Sequence, residues 1–159
     1  MGSQKPEQTT ALILQALAQT GQRGVLLSDW NGFRTEALPE SVYLTGSVPY
    51  AWLFPQMAAV VHHGGAGTTA AGLASGVPSI VTPFMGDQPF WAQRVHRLGV
   101  GPRPIPRRRL TVERLSEAIQ IAVTDTEMRR AAASLGESIR AEKGVAKAVA
   151  VITKGGTIG

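Results

Sequence analysis

The stretch His62-His63-Gly64-Gly65-Ala66-Gly67-Thr68-Thr69 decides the fold of this 159-residue chain. It follows the apolar run Ala58-Ala59-Val60-Val61 and precedes a run of small residues that is typical of a helix. An apolar strand, a glycine-rich turn and a helix start together form an anion-binding turn, because unpaired N–H groups at a helix N-terminus attract phosphate. Glycine lets the backbone approach a diphosphate without a Cβ in the way, and the histidines and threonines add side-chain donors.

Two common phosphate-binding motifs do not fit this turn. It lacks the lysine of the P-loop. It also differs from the Gly-x-Gly-x-x-Gly pattern of the dinucleotide fingerprint, and no acidic residue ~20 positions further on sits at a strand end. Because neighbouring strand residues face opposite sides, only one of the two histidines points naturally into the turn. We assign that role to His63, and we expect His62 to pack in the protein or to support the site.

Apolar runs alternate with helical patterns along the chain, which predicts an α/β fold with a parallel sheet and helices on both faces. The predicted strands are 24–28, 41–45, 59–62 and 78–82, and 99–102 is a candidate edge strand. Helices are predicted from Pro6 to a stop at Gly21, from Ala70 to Gly76, from Asp87 to Leu98, from Thr111 to Arg140 with a break near Thr124-Asp125, and from Glu142 to Ile152. A helical turn is predicted at 52–54 and a turn at 29–33.

Asp87-Gln88 follows the fourth predicted strand, at the same sheet edge as the glycine-rich turn. A carboxylate next to an amide suits hydrogen bonding to vicinal hydroxyls of a sugar. The alternative is that Asp87 only caps the following helix. Ligands of open α/β sheets bind at this edge, and we therefore favour the sugar-binding interpretation.

Composition limits the function classes. The chain has no cysteine and three histidines, so we expect neither a disulfide framework nor a metal site. The net charge is +5, concentrated around Arg103 and Arg107–Arg109. We interpret this run as a solvated basic rim, with attraction to a phosphorylated donor or an anionic membrane as the alternative. Trp30, Trp52 and Trp91 are interpreted as packing residues.

No apolar run approaches the ~20 residues that span a bilayer, and we expect a cytoplasmic protein.

The chain resembles the donor-binding half of family 1, GT-B fold glycosyltransferases. The resemblance rests on Val48-Pro49, Trp52-Leu53-Phe54-Pro55, the histidine–glycine stretch, Gly76-Val77-Pro78, and the run from Pro83 through Gly86-Asp87-Gln88 to Trp91. It is nearest to the sterol 3-β-glucosyltransferase-like branch and to glycosyltransferases of antibiotic biosynthesis. The resemblance implies a Rossmann-like three-layer α/β/α fold, with residues 1–159 forming one nucleotide-sugar-binding domain.

The resemblance also implies roles for particular residues. Candidate diphosphate-binding residues are His63, Gly65, Gly67, Thr68 and Thr69. Candidate sugar-binding residues are Asp87 and Gln88, and Ser47 and Val48 are candidates for the nucleoside. No catalytic residue is expected in this chain, since the family's base lies in an N-terminal acceptor domain. No cofactor is expected, because the nucleotide sugar is a substrate.

The pattern departs from the family at its start. The family's C-terminal domain opens with a central strand that ends in Gly-Ser, and no apolar strand precedes Gly2-Ser3 here. We expect compensation by direct pairing of the strands at Val25 and Val60, or by a strand or a partner chain. A homodimer with strand exchange and a peripheral membrane contact stay open as partners, beside the N-terminal acceptor domain, and no nucleic acid is expected.

The implied function is binding of a nucleotide-sugar donor, UDP-glucose, for hexosyl transfer to a hydroxyl of a sterol-type lipid or a natural product. Alone, the chain is expected to be an inactive donor-binding half. The alternative is a stand-alone, non-catalytic module that binds nucleotide sugars.

Overall fold

Short parallel strands alternate with helices in the computed structural model, which describes residues 6–27 and 38–155. The elements are α1 (Pro6–Thr20), β1 (Gly24–Leu27), β2 (Val42–Thr45), α2 (Tyr50–Leu53), β3 (Val60–His62), α3 (Ala66–Ser75), β4 (Ser79–Val81), α4 (Gln88–Arg97), α5 (Val112–Thr124), α6 (Thr126–Ala141) and α7 (Gly144–Gly155). Two 3₁₀ turns lie at Phe54–Gln56 and Arg107–Arg109. The α/β alternation predicted from the sequence is confirmed, whereas the predicted turn at 29–33 and Trp30 lie outside the described residues.

Helices α1, α5 and α6 begin or end at residues whose types favour helix ends. Gly21, at φ +64°, follows the end of α1. Thr111 begins α5, since its hydroxyl oxygen accepts the N–H of Arg114 at 3.3 Å. Asp125 separates α5 from α6, because its carboxylate accepts the N–H of Met128 at 3.0 Å.

The strands of the described residues form two separate parallel pairs. β1 pairs with β2, with Val25 opposite Tyr43, and β3 pairs with β4, with Val61 opposite Ile80. The expected direct pairing of the strands at Val25 and Val60 is therefore wrong, since no ladder joins β1 to β3. Among the described residues, each of β1 and β3 therefore has one edge that pairs with no other strand.

The candidate edge strand at 99–102 is also wrong. Gly99 has φ +69°, which turns the chain immediately after α4. Two single hydrogen bonds replace a ladder beside β4: Ser79 N–H donates to Val100 O and Ile105 N–H donates to Val81 O, both at 3.0 Å. The segment from Val100 to Ile105 therefore covers this edge of β4 without forming a strand.

Helices cover both faces of the strands, as predicted. Leu26 and Ile80 pack into a core with α1 and α5, and the neighbouring residues Leu27 and Val81 pack into clusters on other helices. This alternation follows from the two-residue period of a strand. Because β1, β2 and β4 all contribute to the core under α1 and α5, the two strand pairs share one interior despite the absent ladder.

The last helix, α7, differs from the others. Its residues from Gly144 to Lys154 are all exposed, including Val145 and Ile152.

Candidate functional site

The glycine-rich turn joins β3 to α3, as predicted, and Gly64 gives it its shape. Gly64 has φ +91°, a left-handed conformation that favours glycine. Its N–H donates to Nδ1 of His62 at 3.1 Å, so this amide points into the protein and not toward a ligand. The amides that remain for an anion are those further along, at the start of α3.

The N-terminus of α3 has no side-chain cap. Gly65 is the N-cap residue, and the first helical bond runs from Thr69 N–H to Gly65 O at 2.8 Å. The N–H groups of Ala66, Gly67 and Thr68 therefore have no helical carbonyl to bind. A Cβ built on Gly67 would meet nothing within 4 Å, so the backbone here is open to an approaching group.

His63 folds over the turn. A Cβ built on Gly65 would lie 2.6 Å from Nε2 of His63, which places the imidazole directly against the Gly65 backbone. The His63 side chain is exposed, while His62 is 8% exposed and faces the interior. The opposite orientation of the two histidines agrees with the sequence prediction.

Thr69 is the candidate that lies least accessible. It is 1% exposed, and its Oγ1 has no hydrogen-bond partner among the described residues. Thr68 is half-buried at the surface of the same turn. Only Thr68 of the two threonines therefore has a side chain that a ligand at the turn can reach in this structure.

His62 lies in the interior and stabilises the turn through its hydrogen bond with Gly64. Burial, with a smaller contribution from the adjacent His63, lowers the pKa of His62 to about 4. Its Nδ1 accepts the Gly64 N–H, so the proton of the neutral ring resides on Nε2. Nε2 lies in the interior without a hydrogen-bond partner in the described part of the chain, as does Oγ of Ser79. Both atoms lie beside Gly72, whose Cβ would be 3.5 Å from Nε2 and 2.8 Å from Oγ.

The loop that carries Asp87 and Gln88 touches the glycine-rich turn. A Cβ on Gly64 would lie 3.2 Å from the carbonyl oxygen of Gln88 and 3.6 Å from its Cβ. The two strands that lead into these loops are paired, and Thr82 N–H donates to His62 O at 2.9 Å. The fold therefore brings together the two motifs that the sequence analysis singled out.

The side chains of Asp87 and Gln88 both form hydrogen bonds with nearby residues of the loop or of α4. Oδ2 of Asp87 accepts Nε1–H of Trp91 at 2.8 Å. Oε1 of Gln88 accepts the N–H groups of Phe84 at 2.7 Å and Met85 at 3.1 Å. Asp87 is the N-cap residue of α4, but its side chain makes no cap hydrogen bond. Asp87 therefore stands at the N-cap position, as the alternative states, but its carboxylate accepts from the Trp91 indole and from no backbone N–H of the helix.

Arg107 contacts the loop that precedes Asp87. Its N–H donates to Pro83 O at 3.0 Å, and its guanidinium lies 5.7 Å from the ring centre of Phe84. It also reaches α1, where Nη2 donates to Oγ1 of Thr9 at 3.4 Å. Arg103, Arg108 and Arg109 are exposed, in agreement with a solvated rim, but Arg107 is half-buried and packs against the loop.

The nucleoside candidates follow the end of β2. Ser47 is exposed, and Val48 is half-buried against the cluster of Leu53, Phe54 and Val60. Next to them, the rings of Tyr50 and Phe54 stack with centres 4.5 Å apart. The sequence analysis did not predict this stack, although the (i, i+4) spacing on a helical turn is a signal for it.

The tryptophans do not all pack as predicted. Trp52 is 62% exposed, so the packing interpretation is wrong for it. Trp91 is half-buried and donates to Asp87, a contact that the sequence analysis missed. The signal was the (i, i+4) spacing of a donor and a carboxylate in the first turn of a helix.

In the described part of the chain, no helix is long and apolar enough to cross a bilayer. No group of three or more His, Asp or Glu side chains converges there to hold a metal ion.

Comparison with known proteins identifies the relatives of this domain. Residues 11–153 match the family described as "Erythromycin biosynthesis protein CIII-like, C-terminal domain". A sterol 3-beta-glucosyltransferase of Arabidopsis thaliana is 46% identical over 152 residues, which is 95% of this chain and 24% of the plant protein. The chain thus spans about a quarter of the length of this relative.

Solved structures show the same fold. The glycosyltransferase of kitacinnamycin superposes with a TM-score of 0.81 at 29% identity, over 97% of this chain and 40% of that one. The glycosyltransferase VinC, solved in complex with DTDP, superposes with a TM-score of 0.62 at 27% identity, over 75% of this chain and 31% of that one. The match over nearly the whole chain places this protein in the erythromycin biosynthesis protein CIII-like C-terminal domain family, the C-terminal domains of family 1 GT-B glycosyltransferases.

Proposed function

We propose that this chain binds the nucleotide-sugar donor of a glycosyltransferase, with UDP-glucose as the donor and a hydroxyl of a sterol-type lipid or natural product as the acceptor. The observation that carries the proposal is the contact of Gly64 with Gln88, which sets the anion-binding turn beside the Asp87–Gln88 pair. The name of the plant relative specifies glucosyl transfer to a sterol, and VinC was solved with a nucleoside diphosphate.

The donor diphosphate would lie at the N-terminus of α3. The N–H groups of Gly67 and Thr68 would donate to phosphate oxygens. Gly67 would leave room for the phosphate, and Gly65 leaves room for the imidazole of His63 beside it. The hydroxyls of Thr68 and Thr69 are the further donors in the proposal, and only that of Thr68 is accessible before any local rearrangement. Asp87 and Gln88 would bind the hexose hydroxyls, and Ser47 and Val48 would lie against the nucleoside.

In this proposal the chain contributes to catalysis through the leaving group. When the sugar–phosphate bond breaks, negative charge develops on the diphosphate. Fixed N–H donors and the His63 imidazole stabilise that charge without reorganising. The base that activates the acceptor hydroxyl and the acceptor pocket would belong to the N-terminal domain, so this chain alone would bind donor without turnover.

Titration calorimetry tests the proposal. The chain is titrated with UDP, UDP-glucose, TDP-glucose and GDP-mannose, and then with the same ligands in the presence of excess pyrophosphate. We expect binding of UDP-glucose in preference to GDP-mannose, and competition by pyrophosphate at the turn. Equal affinity for all three sugar nucleotides would contradict the assignment of the uridine donor, and absence of binding to any of the four would contradict a preformed donor site.

A matched pair of variants locates the site. His63→Ala removes a side chain that lies on the turn, whereas Arg108→Ala removes an exposed side chain of the basic rim. We expect loss of UDP affinity in the first variant and none in the second. The reverse result would indicate that the basic rim attracts the anion.

A further inference from the structure

The carboxylate of Asp87 is held by one side chain. Residues Phe84 to Asp87 are all exposed, so an unsupported aspartate here would sample several rotamers. Instead, Oδ2 accepts Nε1–H of Trp91, one helical turn further along, at 2.8 Å. Because the indole N–H can only donate, this contact keeps one carboxylate oxygen on the helix side and leaves the other, Oδ1, without that bond.

Gln88 is held in a corresponding way. Its Oε1 is used by the N–H groups of Phe84 and Met85, which closes the loop on itself. The amide Nε2 then points away from those two donors, and it makes no hydrogen bond within the described residues. In the described ranges, neither Oδ1 of Asp87 nor Nε2 of Gln88 has a hydrogen-bond partner, so this segment presents a carboxylate oxygen and an amide donor from adjacent residues.

This arrangement matches neighbouring hydroxyl groups, each of which can donate and accept. The side chain that maintains it on the Asp87 side is Trp91, whose ring is half-buried and meets the ring of Phe90 edge-on at 5.1 Å. We propose that Trp91 is a positioning residue, which orients Asp87 so that its free oxygen accepts a hydrogen bond from a hexose hydroxyl of the donor. The inference rests on the proposed function.

The test separates binding of the sugar from binding of the diphosphate. Trp91→Phe keeps an aromatic ring on α4 but removes the indole N–H. We measure the affinities for UDP-glucose and for UDP by calorimetry in the full chain. We expect the affinity for UDP-glucose to fall by about tenfold, as for loss of a hydrogen bond to a charged group, while that for UDP stays unchanged.

The matched control is Trp52→Phe, which removes the indole of a tryptophan that is 62% exposed and lies on α2. It should change neither affinity. If the wild type prefers UDP-glucose to UDP and Trp91→Phe keeps that preference, the positioning inference is overturned and the proposed function stands. If the wild type binds both ligands equally, the sugar-binding role of Asp87 and Gln88 fails and the inference fails with it.

A second measurement needs no ligand and keeps the inference falsifiable if Trp91→Phe folds poorly. The indole N–H resonance of Trp91 is identified in ¹H–¹⁵N spectra as the one absent from that variant, or by direct assignment in the wild type. We expect this resonance to move upfield and to exchange faster with solvent in Asp87→Ala. An unchanged shift and exchange rate would show that Trp91 does not hold the carboxylate in solution.

Discussion

Gly64 and Gln88 lie in direct contact, and this contact joins the two loops of the candidate site. A Cβ at Gly64 would be 2.7 Å from Cγ1 of Val81 and 3.2 Å from the carbonyl oxygen of Gln88. Val81 is the last residue of β4, and Gln88 is the first residue of α4. The glycine-rich turn can thus lie this close to the Asp87–Gln88 pair because residue 64 is glycine and has no side chain.

Substitution of this glycine should therefore separate the loops. We expect Gly64→Ala to lower the free energy of unfolding by about 2–4 kcal/mol, because the alanine Cβ is strained at positive φ and overlaps Val81. Chemical denaturation measures the change. Gly67→Ala is the matched control, since nothing lies within 4 Å of its Cβ, and its stability should be unchanged or up to about 1 kcal/mol higher.

The same control variant separates folding from binding. A methyl group at Gly67 would stand in the open turn where a phosphate would approach, so UDP should bind more weakly to Gly67→Ala although the variant folds normally. Calorimetry with UDP, run beside circular dichroism, gives both readouts. Wild-type affinity in this variant would mean that the diphosphate does not bind at the N-terminus of α3.

His63 should matter for turnover and not for folding. In a complete glycosyltransferase that contains this chain, we expect His63→Ala to lower kcat by about 10²–10³, the usual loss when one donor to a developing negative charge is removed. The side chain is exposed, and the free energy of unfolding should therefore change little. Steady-state kinetics and a denaturation curve on the same variant check both statements, and unaltered turnover would rule out the role in leaving-group stabilisation.

His62 should make the folded state sensitive to acid. Its pKa falls from 6.5 to about 4 on folding, mainly through burial, so the unfolded chain binds more protons between these two values. Stability from this residue is present above pH 6.5 and is lost as the pH falls toward 4. A shift of this size corresponds to roughly 3 kcal/mol at the low end of the window.

Denaturation curves between pH 4 and 7 measure this dependence. Carboxylates also titrate near pH 4, so the comparison is with His62→Asn, whose side-chain oxygen can still accept the Gly64 N–H. The wild type should lose more stability than the variant as the pH falls. Parallel pH profiles would show that folding does not lower the pKa of His62.

The edges of β1 and β3 that pair with no strand of residues 6–27 and 38–155 should promote association of the chain. Unpaired strand edges are sites of pairing with another strand, and Val61 on β3 is 49% exposed. We expect sedimentation velocity to show association that increases with protein concentration, and Val61→Lys to suppress it. The matched control is Val149→Lys on α7, where the side chain is 53% exposed and belongs to no strand. A monomer at all concentrations would leave these edges without a role in assembly.

Local patterns in the sequence predicted most of the fold. The two-residue and helical periods of the apolar residues located β1 to β4 and the longer helices. Thr111 predicted a helix start that the structure confirms, and the predicted break near Thr124-Asp125 is also present. Strand pairing was not predictable in the same way. Whether β1 joins β3 depends on the neighbour between them, and no local pattern in either strand encodes that neighbour.

The same division applies to the site. The glycines and the Asp87–Gln88 pair could be identified as candidate site residues because each motif consists of neighbouring residues in the sequence. Burial of the Thr69 hydroxyl, the stack of Tyr50 on Phe54 and the bond from Trp91 to Asp87 depend on side-chain directions. Those directions follow from packing around α2, α3 and α4, which a sequence pattern does not specify.

The full exposure of α7 determines where the cooperatively folding unit of this chain ends. A helix without a buried side chain can open and close without disturbing the interior, so its amide protons should exchange through local fraying and not through global unfolding. Among the described residues, the free energy that keeps the glycine-rich turn in shape therefore comes from segments before Lys143. Substitutions along α7 should therefore leave the free energy of global unfolding unchanged. This helix can accept changes of sequence that do not affect the core.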